Sequence, residues 1–92
     1  MIRSFRHKGL KRLFETGERR GVVPELASRL KRQLDVLNRA RSTTDMNLPG
    51  YRLHQLKGNR TGTWSIAVSG NWRITFKFDD EDAFEVDLED YH

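Results

Sequence analysis

Trp72-Arg73-Ile74-Thr75-Phe76-Lys77-Phe78 alternates apolar and polar residues at every step. A period of two places Trp72, Ile74, Phe76 and Phe78 on one face of a strand and Arg73, Thr75 and Lys77 on the other. The same alternation recurs on both sides. Upstream, Trp64, Ile66 and Val68 alternate with Ser65 and Ala67; downstream, Phe84, Val86 and Leu88 alternate with Glu85, Asp87 and Glu89. Side chains opposite each other in a ladder must share a face. Parity therefore predicts Trp64 opposite Phe76, Ile66 opposite Ile74 and Val68 opposite Trp72, with Ser69-Gly70-Asn71 as a three-residue turn. It also predicts Phe78 opposite Phe84 and Ile74 opposite Leu88, and on the polar face Lys77 beside Glu85 and Arg73 beside Glu89. Arg73 then sits in mid-sheet between small Ala67 and Glu89. Both tryptophans fall on the apolar face and read as core, not as platforms for stacking bases.

Further out, Tyr51 and Leu53 alternate with Arg52 and His54 and predict another strand. Pro49-Gly50 before it is a turn signal that closes a loop over 42–50. Ahead of that loop the period changes. Leu26, Leu30, Leu34 and Leu37 lie on one helical stripe, Pro24 suits the first turn, and the helix should end near Arg41. Glu25–Arg29 and Asp35–Arg39 have the spacing of ion pairs on its outer face. An earlier helix is predicted over 8–16 from Leu10, Leu13 and Phe14, stopped by Gly17. Residues 1–6 predict a short first strand. The fold class is thus α+β, with two N-terminal helices packed on one face of a mostly antiparallel sheet. The other face is polar and open, a place for a ligand. The 92 residues suffice for one domain, taken as 1–92.

Charge is unevenly spread. Through residue 73 there are 16 Lys+Arg against 5 Asp+Glu; after it, 1 against 8. A basic body points to a polyanionic partner, nucleic acid first, or else to a solvated charged surface. The acidic end can answer the basic body within the fold. No cysteine is present, which excludes disulfide and thiolate chemistry and is consistent with a cytoplasmic location. No apolar run is long enough to cross a membrane, and the first residues lack the apolar segment of a signal peptide.

Three histidines, His7, His54 and His92, have no metal-ligand spacing. Lys57-Gly58-Asn59-Arg60-Thr61-Gly62 is a basic loop without a phosphate-loop pattern. No metal and no cofactor is expected. Two places remain for chemistry: His54 with Arg52, Lys57 and Arg60 around it, and the end Asp90-Tyr91-His92. Metal-free RNA cleavage needs a base for the ribose 2′-OH, an acid for the 5′-oxygen and a cation for the phosphorane; these residue types can fill those roles. Each has a plainer reading on spacing alone. His54 reads more readily as a surface histidine, Lys57 and Arg60 as turn residues, Arg73 as the partner of Glu89, and the last residues as a frayed end.

These same stretches resemble the HigB branch of the RelE/ParE toxin superfamily. The resemblance lies in Ile2-Arg3-Ser4-Phe5-Arg6-His7-Lys8-Gly9-Leu10, Tyr51-Arg52-Leu53-His54-Gln55-Leu56-Lys57-Gly58, Trp64-Ser65-Ile66, Gly70-Asn71-Trp72-Arg73-Ile74-Thr75-Phe76 and Glu89-Asp90-Tyr91-His92, in order along the chain. It implies a RelE-like, microbial-RNase-like fold and a ribosome-dependent endoribonuclease that cuts mRNA in the ribosomal A site. It implies a helix-turn-helix, HigA-like antitoxin, and operator DNA bound only through the toxin–antitoxin complex. By resemblance His54, Asp90, Tyr91 and His92 form the catalytic set, with His92 placed ahead of His54 as principal acid or base. Lys57 and Arg73 are then the phosphate and transition-state cations. Arg52, Arg60, Lys8, Arg12 and Arg32 are expected to bind RNA, the last three through the helices against small-subunit ribosomal RNA. The alternative within the superfamily is a ParE-like toxin that poisons DNA gyrase without cleaving RNA. Its binding would not need the His54, Asp90, Tyr91 and His92 set.

Overall fold

The leucine stripe of the second helix finds its complement in the apolar face of the sheet. In the computed structural model, which describes residues 1–91, Leu30, Leu34 and Leu37 are fully buried, as are Ile66, Ile74, Phe76 and Val86. Helix α1 spans Lys8–Thr16. The Leu10 N–H donates to His7 Nδ1 at 3.1 Å at its start, and Gly17, at φ +78°, closes its end with an N–H bond to the Leu13 carbonyl. His7 is therefore occupied as a cap. The first turn of α1 presses on the following connection so closely that a Cβ on Gly9 would lie 2.0 Å from the Gly21 carbonyl oxygen.

Pro24 opens a single 3₁₀ turn, Pro24–Leu26, before helix α2, Ala27–Arg39. The helix ends two residues short of the expected Arg41 because Ala40 turns extended. The two predicted ion pairs on α2 do not form. Glu25 lies in the 3₁₀ turn, and Arg29 instead donates to the Val68 carbonyl at 2.6 Å. Asp35 pairs backwards with Lys31 at 2.8 Å. The 42–50 loop holds a 3₁₀ turn, Thr43–Met46, whose Ser42 and Asp45 cap each other and whose Met46 is fully buried.

The sheet has four strands in sequential antiparallel order: β1 His54–Gln55, β2 Thr63–Ser69, β3 Trp72–Asp79 and β4 Asp82–Asp90. The first is two residues long, where a strand from Tyr51 was expected, because Arg52 adopts φ +50° and breaks the extended run. Trp64↔Phe76, Ile66↔Ile74, Ile74↔Leu88 and Arg73↔Glu89 pair as parity requires. Lys77 also meets Glu85, at 3.1 Å, but two bulges overturn the remaining pairings. One lies between Ala67 and Ser69, so Ser69, not Val68, faces Trp72, and the turn shrinks to Gly70-Asn71 with Gly70 at φ +55°. The other lies where β4 faces Thr75–Lys77; Glu85 sits there at φ +51°, Phe84 faces Lys77 and Ala83 faces Phe78. An inserted residue shifts the ladder by one and re-aims its neighbours.

Residues 1–6 run parallel to β4 and touch it at two isolated bridges, Ile2↔Ala83 and Phe5↔Val86. At the opposite rim, Gln33 and Arg29 of α2 donate to the carbonyls of Ala67 and Val68, and the Ala67 N–H donates to Tyr51. The acidic end is drawn onto the basic body: Asp82 pairs with the N-terminal amine and Arg3, and Glu81 with Arg41. Among the described residues, no helix is long and apolar enough to cross a membrane.

Candidate active site

On the polar sheet face the start of β3 presents Arg73. Its guanidinium donates through Nε and one terminal nitrogen to Glu89 Oε1 at 3.2 and 3.0 Å. Its other neighbour is the ring of Tyr91, whose centroid lies 3.9 Å from the guanidinium carbon. Cation–π stacking of this kind holds a planar cation flat. The Tyr91 N–H donates to the Asn71 carbonyl at 3.1 Å, which ties the end of β4 to the β2–β3 turn.

Glu89 also receives both terminal nitrogens of Arg60, which reaches it from the 3₁₀ turn Gly58–Arg60. The carboxylate therefore bridges two arginines. The Arg60 hydrogen bond, and after it that of Arg73, hold the Glu89 carboxyl below the usual carboxylate range, against the upward pull of burial. The same hydrogen bond raises Arg60. Sequence spacing flagged Arg73–Glu89; it missed Arg60–Glu89, which joins positions 29 apart.

Beside Arg73 opens a cleft of about 180 Å³, lined by Arg52, His54, Ser65, Trp72, Arg73 and Tyr91 among others. His54 Nδ1 lies 3.0 Å from the Arg52 carbonyl oxygen. A carbonyl only accepts, so Nδ1 carries the proton, and Nε2 of the neutral ring keeps its lone pair. Arg52 supplies that carbonyl from a left-handed backbone, a conformation that costs a non-glycine residue roughly 1–3 kcal/mol and is typical of functional sites. Trp72 packs partly against the core yet also lines this cleft, which corrects its reading as purely core.

The expected set is only partly assembled. His54, Arg73 and Tyr91 share the cleft with Arg52. Lys57 is exposed before the 58–60 turn, and Asp90 is exposed opposite Trp72 in the ladder; neither lines the cleft. His92 lies outside the described residues. Arg60 is held by Glu89 on the far side of Arg73. Lys8, Arg12 and Arg32 are exposed on the two helices, away from the cleft. No group of three His, Asp or Glu side chains among the described residues is arranged to hold a metal ion.

A four-stranded antiparallel sheet under two N-terminal helices, with an arginine-centred cleft on its open face, is consistent with the RelE-like fold that the sequence resemblance implies. A family model described as the RelE-like toxin of type II toxin–antitoxin system HigB matches residues 3–92, and the chain belongs to that family. It is 48% identical over 92 residues to the endoribonuclease HigB of Proteus vulgaris, with both chains covered completely. It is 31% identical over 91 residues to the toxin HigB-1 of Vibrio cholerae serotype O1, covering 97% of this chain and 96% of that one. The gyrase-poisoning alternative finds no support in these relationships. As a type II toxin the protein has an antitoxin as partner.

Proposed function

We propose that this toxin arrests growth by cutting mRNA in the ribosomal A site, through acid–base attack of the ribose 2′-OH and without a metal. Endoribonuclease activity accords with its family and with the name of its Proteus vulgaris relative. The observation that carries the chemistry is His54, with Nε2 unblocked, in one cleft with the Arg73–Tyr91 stack. His54 takes the 2′-OH proton as the 2′-oxygen attacks phosphorus. Arg73 stabilises the charge gathering on the phosphorane. The P–O5′ bond breaks, the 5′-oxygen is protonated by the Asp90-Tyr91-His92 end, and the products are a 2′,3′-cyclic phosphate and a 5′-hydroxyl. Lys57 and Arg52 contact the flanking backbone, and Lys8, Arg12 and Arg32 hold small-subunit ribosomal RNA. The toxin works in the cytoplasm, and a helix-turn-helix, HigA-like antitoxin restrains it and carries it to operator DNA.

The test is cleavage of a defined mRNA on programmed ribosomes. His54→Ala should slow A-site cleavage by about 10²–10⁴-fold, the usual contribution of a positioned acid or base, while the fold is kept. Full cleavage by His54→Ala would remove His54 from the chemistry. Absence of cleavage by the unaltered toxin would end the ribosomal reading.

A further inference from the structure

A second cleft, also of about 180 Å³, lies on the same polar face, on the other side of the Arg60–Glu89–Arg73 bridge. Arg6, Arg60, Lys77 and Glu85 line it with the side chains of Asn59 and Thr75. It is built by the β4 bulge. Glu85, at φ +51°, donates its N–H to Ser4 Oγ at 2.9 Å, and Arg6 donates its N–H to the Val86 carbonyl at 2.9 Å. These bonds fix the 1–6 segment as the outer wall and bring Arg6 to the cleft.

The charges within it nearly cancel. Lys77 pairs with Glu85 at 3.1 Å; Arg60 shares Glu89 with Arg73 and has Asp87, opposite Thr75 in the ladder, as a second negative neighbour. Arg6 has no carboxylate partner among the described residues. The cleft therefore offers one surplus positive charge among neutral hydroxyl and amide groups. That matches one nucleotide of RNA, with a single phosphodiester charge and a ribose that both donates and accepts hydrogen bonds.

We propose that this cleft is a subsite for the mRNA nucleotide flanking the cleavage point, with Arg6 on its phosphate. The inference rests on the RNA-cleaving reading above. One carboxylate, Glu89, links a wall of each cleft, so an RNA strand with its scissile phosphate at Arg73 continues past Arg60 to Arg6. Arg6 thus acts in binding, and it stands apart from the residues assigned to catalysis.

The experiment pairs Arg6→Ala with mRNAs that carry one neutral methylphosphonate linkage, moved stepwise through the positions next to the scissile bond. Cleavage is followed on ribosomes with the full chain, and thermal unfolding reports on folding. Arg6→Ala should lower kcat/KM by about tenfold through KM, with kcat unchanged. One flanking linkage, once neutral, should cost the unaltered toxin the same factor and cost Arg6→Ala nothing more. Arg6→Lys should restore part of the loss. Additive losses at every linkage, or unchanged kinetics in Arg6→Ala, would overturn the subsite while cleavage by the unaltered toxin leaves the RNA-cleaving reading standing. If the unaltered toxin cuts nothing, both fall together.

Discussion

Arg73 is clamped on two sides, by the carboxylate of Glu89 at 3.0 Å and by the ring of Tyr91 at 3.9 Å. One contact fixes its hydrogen-bonding edge and the other its plane. A cation fixed in this way needs no reorganisation as charge builds on a phosphorane.

The ring and the hydroxyl of Tyr91 can be tested separately. Tyr91→Phe keeps the ring under Arg73 and removes only the hydroxyl; Tyr91→Ala removes both. A partly exposed cation–π contact contributes roughly 0.5–2 kcal/mol. Single-turnover cleavage should therefore be slower in Tyr91→Ala than in Tyr91→Phe by about twofold to thirtyfold. Equal rates would mean that the stack does not position Arg73.

Glu89 ties stability to acid. Its carboxyl is held low in the folded chain, so its contribution is present above the unfolded carboxylate range, near 4, and is lost as pH falls further. Asp82, held low by Arg3 and then by the N-terminal amine, acts in the same direction. Glu89→Gln should destabilise the protein at neutral pH by about 1–3 kcal/mol, as hydrogen bonds to a charged group are lost. It should also flatten the decline below pH 4. Urea unfolding from pH 7 to pH 2.5 checks both, and a decline unchanged in the variant would assign it to other carboxyls.

Gly9→Ala tests the contact between α1 and the connection after it. The added methyl would meet the backbone at Gly21, which cannot turn aside as a side chain can. A loss of about 1–3 kcal/mol is expected, although alanine favours helices. Stability equal to the parent would mean that the 17–23 connection yields freely.

Arg32 is exposed on α2 and lies outside both sheet clefts. Arg32→Glu should weaken ribosome binding and reduce its salt dependence, with stability changed by less than about 0.5 kcal/mol. Sedimentation with ribosomes at several salt concentrations measures this. Unchanged affinity would place the ribosome on another face.

The alternation in β2, β3 and β4 made the sheet and the Arg73–Glu89 pair legible before any coordinates. The two bulges were not legible, since an extra residue at Val68 or Glu85 leaves composition and periodicity intact. The break at Arg52 was hidden for a similar reason: nothing in its side chain announces a left-handed backbone. His54 and Tyr91 could be named from the motifs they stand in. Their meeting in one cleft depends also on β1 pairing with β2, which sets His54 opposite Ser65 and for which alternation alone named no partner. Arg60 and Glu89 lay beyond local reasoning because two whole strands, β2 and β3, separate them in sequence.

The cover over the two rims of the sheet has a further consequence. On one side the carbonyls of Ala67 and Val68 are taken by Gln33 and Arg29; on the other the 1–6 segment follows β4. A bare strand edge invites a second copy to add its own strand and begin a growing stack. Here a copy adding beside Ala67 and Val68 of β2, or along β4, would first have to pull α2 or the leading segment away, and the edge left uncovered is the two-residue β1. Too short an edge to template a long ladder, β1 leaves little for a second copy to extend, so the polar face can stay open with the longer strands shielded from edge-to-edge growth.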